Sequence, residues 1–212
     1  MTARRPEGSK GRPSRESGGL PDPLPPVDAI VVGASAGGVD ALFELFRGIP
    51  SGWRVPVATV LHLPEDHVSR LAEIFRPRVA ADVVEARPGE ALAAGTLYFA
   101  PPGYHLLIEP DMTFSLSCDP PVMFSRPSID VLFESAADAC GERLAGFVLT
   151  GANIDGAAGL AAVKARGGLA VVQDPARAAH ATMPAAALAA ARPHAVLPIA
   201  GLNRLLTRLL HP

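Results

Sequence analysis

Cysteine is nearly missing from this chain. Only Cys118 and Cys140 occur among its 212 residues, far from any Cys-x-x-Cys spacing. Neither a disulfide framework nor a zinc site is indicated, and two reduced, buried thiols in a cytosolic protein are the reading that fits. An excess of either charge is missing too: a net charge of -2 and a pI near 6.3 give no general attraction to phosphate backbones or anionic lipid. That argues against nucleic acid or a membrane surface as the main partner. No window of about 18 uninterrupted apolar residues exists. The Ala-rich stretch from Ala185 to Ala191 is short and is flanked by Pro184, Arg192, Pro193 and His194, so no direct membrane insertion is expected. The first 27 residues carry Arg4, Arg5, Lys10, Arg12 and Arg15 among prolines, glycines and serines, without the apolar segment of a secretory signal. They read as a flexible tail, 1–27, ahead of a single domain at 28–212. No internal repeat is visible.

What is present is an apolar fraction of 49%, enough for a sizeable core if both faces of a sheet are covered. Residues 28 to 40, DAIVVGASAGGVD, run from a β-branched apolar stretch into Gly33-Ala34-Ser35-Ala36-Gly37-Gly38, after which Val39 to Phe46 repeat at helical spacing. Gly48-Ile49-Pro50 end that helix. A second unit follows, with a strand over Val55 to Leu61, then His62-Leu63-Pro64 and a helix from about Asp66 to Phe75. Short strand-like runs at Val83–Glu85, Thr96–Ala100, His105–Ile108 and Thr113–Leu116, separated by punctuation such as Pro101-Pro102-Gly103, suggest a small antiparallel insertion. Helical period returns from Ser128 to Cys140, then come a strand at Phe147–Leu149, a helix at Gly156–Ala165, a strand at Leu169–Val172, and helices near Ala185 and Leu202. The expected fold is α/β: a doubly wound, mostly parallel sheet with helices on both faces and that small insertion.

In an open parallel sheet, ligands bind beyond the carboxyl ends of the strands. Ser35, His62 and Asp155 occupy such positions after three different strands. Gly33, Ser35 and Gly37 match the Gly-x-Ser-x-Gly nucleophile elbow, in which small neighbours allow a sharp turn that exposes the serine hydroxyl. The N–H groups at the start of the following helix would stabilise developing negative charge. A serine hydroxyl becomes a useful nucleophile once an imidazole takes its proton, and the imidazole needs a carboxylate to hold its tautomer. Ser35 is thus the candidate nucleophile, His62 the base and then acid, and Asp155 the residue that orients His62. Taken singly, each has a plainer role: Ser35 as a small turn residue, His62 as a partner of the sheet end, Asp155 as N-cap of the helix that begins at Gly156. Arg126, just ahead of a helix, is either an anion clamp reaching the cleft or a surface residue. His67, His105, His180, His194 and His211 lack metal-ligand spacing, and no metal site is expected. A dinucleotide site would need a ribose-binding carboxylate where Ser51-Gly52-Trp53-Arg54 stands, and a P-loop would need Gly-Lys-Ser/Thr, which is absent. The order Ser, His, Asp also differs from the common α/β-hydrolase order, which places the acid before the histidine.

Those residues in that order resemble the catalytic domain of the CheB-type protein-glutamate methylesterases of bacterial chemotaxis. The resemblance runs from about Asp28 to Leu202. It rests on Val32 to Gly38, Leu61-His62-Leu63-Pro64, Gly95 to Leu106, Ser125-Arg126-Pro127-Ser128-Ile129-Asp130, Leu149 to Ala157, Gln173-Asp174-Pro175 and Met183-Pro184. It implies hydrolysis of glutamate γ-methyl esters on a methylated receptor protein, often with deamidation of particular glutamines, through an acyl-enzyme on Ser35 and without a cofactor. Two substitutions stand out. Ala36 replaces the family's usual threonine, and Gly151-Ala152-Asn153-Ile154-Asp155-Gly156 replaces its usual Gly-Met-Gly-x-Asp-Gly. By the resemblance, Ala36 and Ala152 fall where the oxyanion and the ester would be held. The family commonly carries a receiver domain ahead of this one, so a chain with only a short tail is expected to be always accessible or controlled by a separate regulatory protein. The alternative from another class is a non-catalytic or weakly active relative that uses the same cleft as a protein-interaction module.

Overall fold

Among the described residues of the computed structural model, 20–62 and 70–212, strands and helices alternate along the chain. β1 (Ala29–Ala34) leads into α1 (Gly38–Phe46), and β2 (Val57–Leu61) precedes α2 (Leu71–Phe75). β3 (Asp82–Glu85), β4 (Thr96–Phe99), β5 (His105–Ile108) and β6 (Phe114–Ser117) come next, ahead of α3 (Ile129–Cys140) and β7 (Leu144–Val148). The chain closes with α4 (Ala157–Ala165), β8 (Leu169–Gln173), α5 (Thr182–Ala191), β9 (Ala195–Leu197) and α6 (Ile199–Leu210). The expected start of α2 at Asp66 lies outside the described residues, as does His67.

Seven strands form one sheet in the order β3-β4-β2-β1-β7-β8-β9, and every pairing in it is parallel. This corrects the extent of the antiparallel insertion. β3 and β4 are parallel members of the main sheet, whereas β5 and β6 pair antiparallel, as a separate ribbon packed on α3. Runs of four residues carry a period of two but no strand direction, so the two pairings look alike in sequence. β9 carries no sequence signal for a related reason: three residues between prolines are too few to show a period.

The central strands are buried from end to end, as a parallel sheet covered on both faces requires. Along β1, Ile30, Val32 and Ala34 face the core shared with α1, α2 and α6, whereas Ala29 and Val31 face the core shared with α3, α4 and α5. Of the segment read as a tail, residues 1–19 lie outside the described ones, while Leu20 and Leu24 pack on the first of these cores and Val27 is buried in it.

The strand order reverses at the β1/β7 boundary, which opens a crevice beyond their carboxyl ends. Ala34 lies level with Leu61 and Gly33 level with Val148, so the residues that follow β1, β2 and β7 emerge together at one edge. Gly33 lets α3 reach that edge. A Cβ there would stand 2.3 Å from Cγ2 of Ile129, the first residue of α3. Gly33→Ala is therefore expected to lose about 1–3 kcal/mol from overpacking, measured by urea denaturation. An unchanged midpoint would contradict this packing.

Candidate active site

Ser35 follows β1 directly and stands half-buried at the turn into α1. Its N–H donates to the Thr150 carbonyl at 3.0 Å, and its own carbonyl receives the Gly38 N–H at 2.7 Å. Gly37 caps α1 with φ 74°, and a Cβ on it would lie 2.8 Å from that of Ala179; both the left-handed backbone and the close approach demand glycine. Thr150 ties the turn to the end of β7. Its hydroxyl donates to the Ala36 carbonyl at 3.0 Å and receives the His180 N–H at 2.8 Å, while its N–H reaches buried Gln173 at 2.8 Å. The serine turn is thus fixed by the loops after β7 and β8.

His62 follows β2 directly, and its N–H donates to the Ala34 carbonyl at 3.1 Å. Its ring Nε2 lies 2.8 Å from Oδ2 of Asp155, which is fully buried. A carboxylate there fixes Nε2 as the protonated nitrogen and leaves Nδ1 as the basic one. Nδ1 faces Ser125 Oγ at 3.4 Å and Asn153 Nδ2 at 3.5 Å, and those two groups approach each other at 3.4 Å. The Ser35 hydroxyl makes no hydrogen bond to the ring in this structure.

Asp155 does more than orient the ring. Its carboxylate also accepts the Ser128 hydroxyl at 2.9 Å, the Ile129 N–H at 2.7 Å, the Asp130 N–H at 3.0 Å and the Gly156 N–H at 3.1 Å. Asp155 therefore caps α3, packed beside it, rather than α4, whose own N-cap is Gly156. Asp130 returns the arrangement, accepting the Gly156 N–H at 2.8 Å and the Gly159 N–H at 2.7 Å at the start of α4. Each helix N-terminus thus faces a carboxylate carried by the other segment, where the positive end of the helix dipole favours it. Burial pushes Asp155 up, but the bonds from His62 and the N–H groups of Asp130 and Ile129 outweigh it and hold the carboxyl below its ordinary range. Asp130 goes the other way, to about 6, because burial and then the nearby Asp155 charge outweigh the Gly159 and Gly156 N–H bonds. An acid raised in the fold binds more protons folded than unfolded, so its ionisation destabilises the fold as pH climbs from about 4 through 6. Wild type should accordingly gain stability over Asp130→Asn as pH falls from 7 to 4.5, read from melting curves. A gap that is constant or that narrows would contradict the assignment.

The hydrogen bonds continue to the ribbon. The Ser128 N–H donates to Nδ1 of buried His105 at 3.1 Å, and His105 Nε2 meets the Pro120 carbonyl at 3.2 Å. Because a carbonyl only accepts and an N–H only donates, both partners fix the His105 tautomer. His105, read from sequence as a strand opener, thereby links β5 to Ser128 and through it to Asp155. Arg126 spends Nη1 on the carbonyls of Cys118 and Asp119 at 3.1 and 3.2 Å and braces its own loop. Ala36 is half-buried and Ala152 exposed, each on a loop beside the crevice. Sequence reasoning missed Ser125, Ser128, Asp130 and His105. Of these, Ser128 carried a local signal, as an N-cap serine ahead of an apolar helical period. Asn153 adds no backbone strain, since positive φ among described non-glycine residues is confined to Met112, Met123, Phe124 and Arg192. Its side-chain oxygen accepts the Asp155 N–H at 3.3 Å.

A wholly parallel sheet with a serine on the turn after its central strand, and a histidine bound to a buried carboxylate on the adjoining strand ends, is an α/β scaffold of the kind that carries hydrolytic serine sites. The chain belongs to the CheB methylesterase family, whose model matches residues 30–206. A putative protein-glutamate methylesterase/protein-glutamine glutaminase of Leptospira interrogans is 46% identical over 148 residues, covering 70% of this chain and 77% of that protein. The protein-glutamate methylesterase FrzG of Myxococcus xanthus is 36% identical over 165 residues, 78% of this chain and 49% of its own length. Among solved structures, the catalytic domain of the Thermotoga maritima CheB methylesterase superposes with a TM-score of 0.82 at 26% identity, covering 86% of this chain and 98% of that one.

Proposed function

We propose that this chain is a serine hydrolase that removes γ-methyl esters from glutamates of a methylated chemotaxis-type receptor protein and also deamidates particular glutamines. The observation that carries the reading is the 2.8 Å bond between His62 Nε2 and buried Asp155, which leaves Nδ1 basic at the strand end next to Ser35. Ser35 Oγ attacks the ester carbonyl as Nδ1 takes its proton, and the tetrahedral oxyanion faces the N–H groups at the start of α1 and in the loop at Ala152. The intermediate collapses, His62 returns the proton to the departing methoxide, and methanol leaves a glutamyl ester on Ser35. Water then attacks this ester with its proton passing to Nδ1, and Ser35 is released with that proton as the glutamate carboxylate forms. With a glutamine substrate, ammonia leaves in place of methanol. No step requires a metal or an organic cofactor.

Ala36 and Ala152 would lie beside the oxyanion, and Asn153 and Ser125 flank Nδ1, so Ser35 has to approach a ring that already has two polar neighbours. A slow enzyme is the consequence. The test is methanol release from a methyl-labelled receptor fragment. Wild type should release it, and His62→Ala should lower the rate by at least about 10³-fold while still melting cooperatively, a few degrees lower because buried Asp155 loses its ring partner. Undiminished binding of the fragment with no methanol from either protein would instead support the interaction-module reading. Turnover of simple aryl esters with none of the methylated protein would point to a small-molecule esterase.

A further inference from the structure

Val122, Met123, Phe124 and Ser125 form a two-residue hairpin, closed by the Val122 N–H to Ser125 carbonyl bond at 3.1 Å and the Ser125 N–H to Val122 carbonyl bond at 2.9 Å. Both tip residues have positive φ, 48° for Met123 and 63° for Phe124. That is the conformation of a type I′ turn, which normally takes Asn-Gly and strains larger residues. Phe124 is also 100% exposed and Met123 47% exposed. The tip is therefore unfavourable twice over, in its backbone and in the apolar surface it leaves in water. Strain of this kind, where the surroundings enforce it, points to function.

The location supplies the function. Ser125, the next residue, faces His62 Nδ1, and Arg126 braces the loop through the Cys118 and Asp119 carbonyls. On the other flank of the ring, Asn153 faces Nδ1 and is followed by Ile154, an exposed apolar residue. Bulky apolar side chains thus stand one residue away from each of the two groups that flank the basic nitrogen. An ester presented to Nδ1 would bring its own polypeptide against these side chains.

We propose that Met123 and Phe124 form an apolar clamp that docks against a bulky apolar side chain of the substrate protein, a few residues from the esterified glutamate. The inference rests on the reading of the site as a protein-glutamate methylesterase and adds how it selects protein over small esters. Apolar anchors at the centre of an interface carry much of its affinity.

The test replaces the tip with the residues that its backbone favours, Met123→Asn with Phe124→Gly, so the variant should melt at or above the wild-type temperature. Its KM for the methylated receptor fragment should rise about tenfold or more, with kcat within about twofold, and Phe124→Leu should recover part of that loss. An unchanged KM would overturn the proposal, as would an equal loss on 4-nitrophenyl acetate, which lacks a polypeptide to clamp. Direct binding of the same fragment separates this inference from the one beneath it. If wild type releases no methanol, the methylesterase reading fails, yet tenfold weaker binding by the Asn-Gly variant still supports the clamp and equal binding still refutes it.

Discussion

Ser35→Ala is expected to leave the fold intact and to lower kcat for methanol release by about 10⁴-fold to 10⁶-fold, the range seen when a triad nucleophile is removed. The fold should survive because Ser35 is attached to its surroundings through its backbone, by the bonds to Thr150 and Gly38, and among the described residues its hydroxyl braces none. Ser125 is the informative control. It is the serine whose hydroxyl lies 3.4 Å from Nδ1, yet the N–H groups at the start of α3, the helix that follows its loop, are taken by Asp155. Ser35 has both the turn and the start of α1, where an oxyanion can be held. Ser125→Ala should therefore alter kcat by no more than several-fold. If the two variants exchanged phenotypes, the nucleophile would belong to the loop and not to the strand-to-helix turn.

Asp155→Asn has the second largest expected effect and acts on two levels. In catalysis, the neutral amide loses the charge that stabilises the imidazolium and can hold the wrong tautomer, a loss of about 10³-fold to 10⁴-fold in kcat. In stability, one side-chain oxygen becomes an NH₂ group facing donors, because Ser128, Ile129, Asp130, Gly156 and His62 all point hydrogen toward this carboxylate. Leaving buried donors unmatched costs about 1–3 kcal/mol each, so the melting temperature should fall by about 5–10 °C. The pH dependence follows from a carboxyl held below its ordinary range. Its contribution is full above the ordinary carboxylate pKa and is lost as pH falls through the folded value. The gap between wild type and Asp155→Asn should accordingly be widest near neutrality and shrink below about pH 4. A variant that loses activity with no loss of stability would show that Asp155 orients the ring without capping α3.

The serine turn was legible because its cause is local. Gly33, Ser35 and Gly37 stand between a strand period and a helix period, and the structure explains both glycines, one by the approach of Ile129 and one by positive φ. His62 was legible as the polar residue that follows a strand apolar but for Thr59. Asp155 was legible in position but not in all of its work. Beside Gly156 it looks like a cap for the next helix, whereas the helix it caps begins 26 residues earlier in sequence. Nothing local distinguishes those two options, since both place a carboxylate at a helix N-terminus. The same non-locality hid Asp130, Ser125 and His105, each of which matters through a contact that only the folded sheet edge creates. In the insertion, the short runs announce strands but not their direction, so in sequence β3 and β4 look like the ribbon they precede.

Whether Ser35 is the hydroxyl that His62 activates is decided by labelling the protein with a fluorophosphonate, which reacts irreversibly with an activated serine, and mapping the adduct by peptide mass spectrometry. The label should fall on the peptide that carries Ser35 and vanish in His62→Ala. An adduct on Ser125, or labelling that persists without His62, would contradict that role for Ser35.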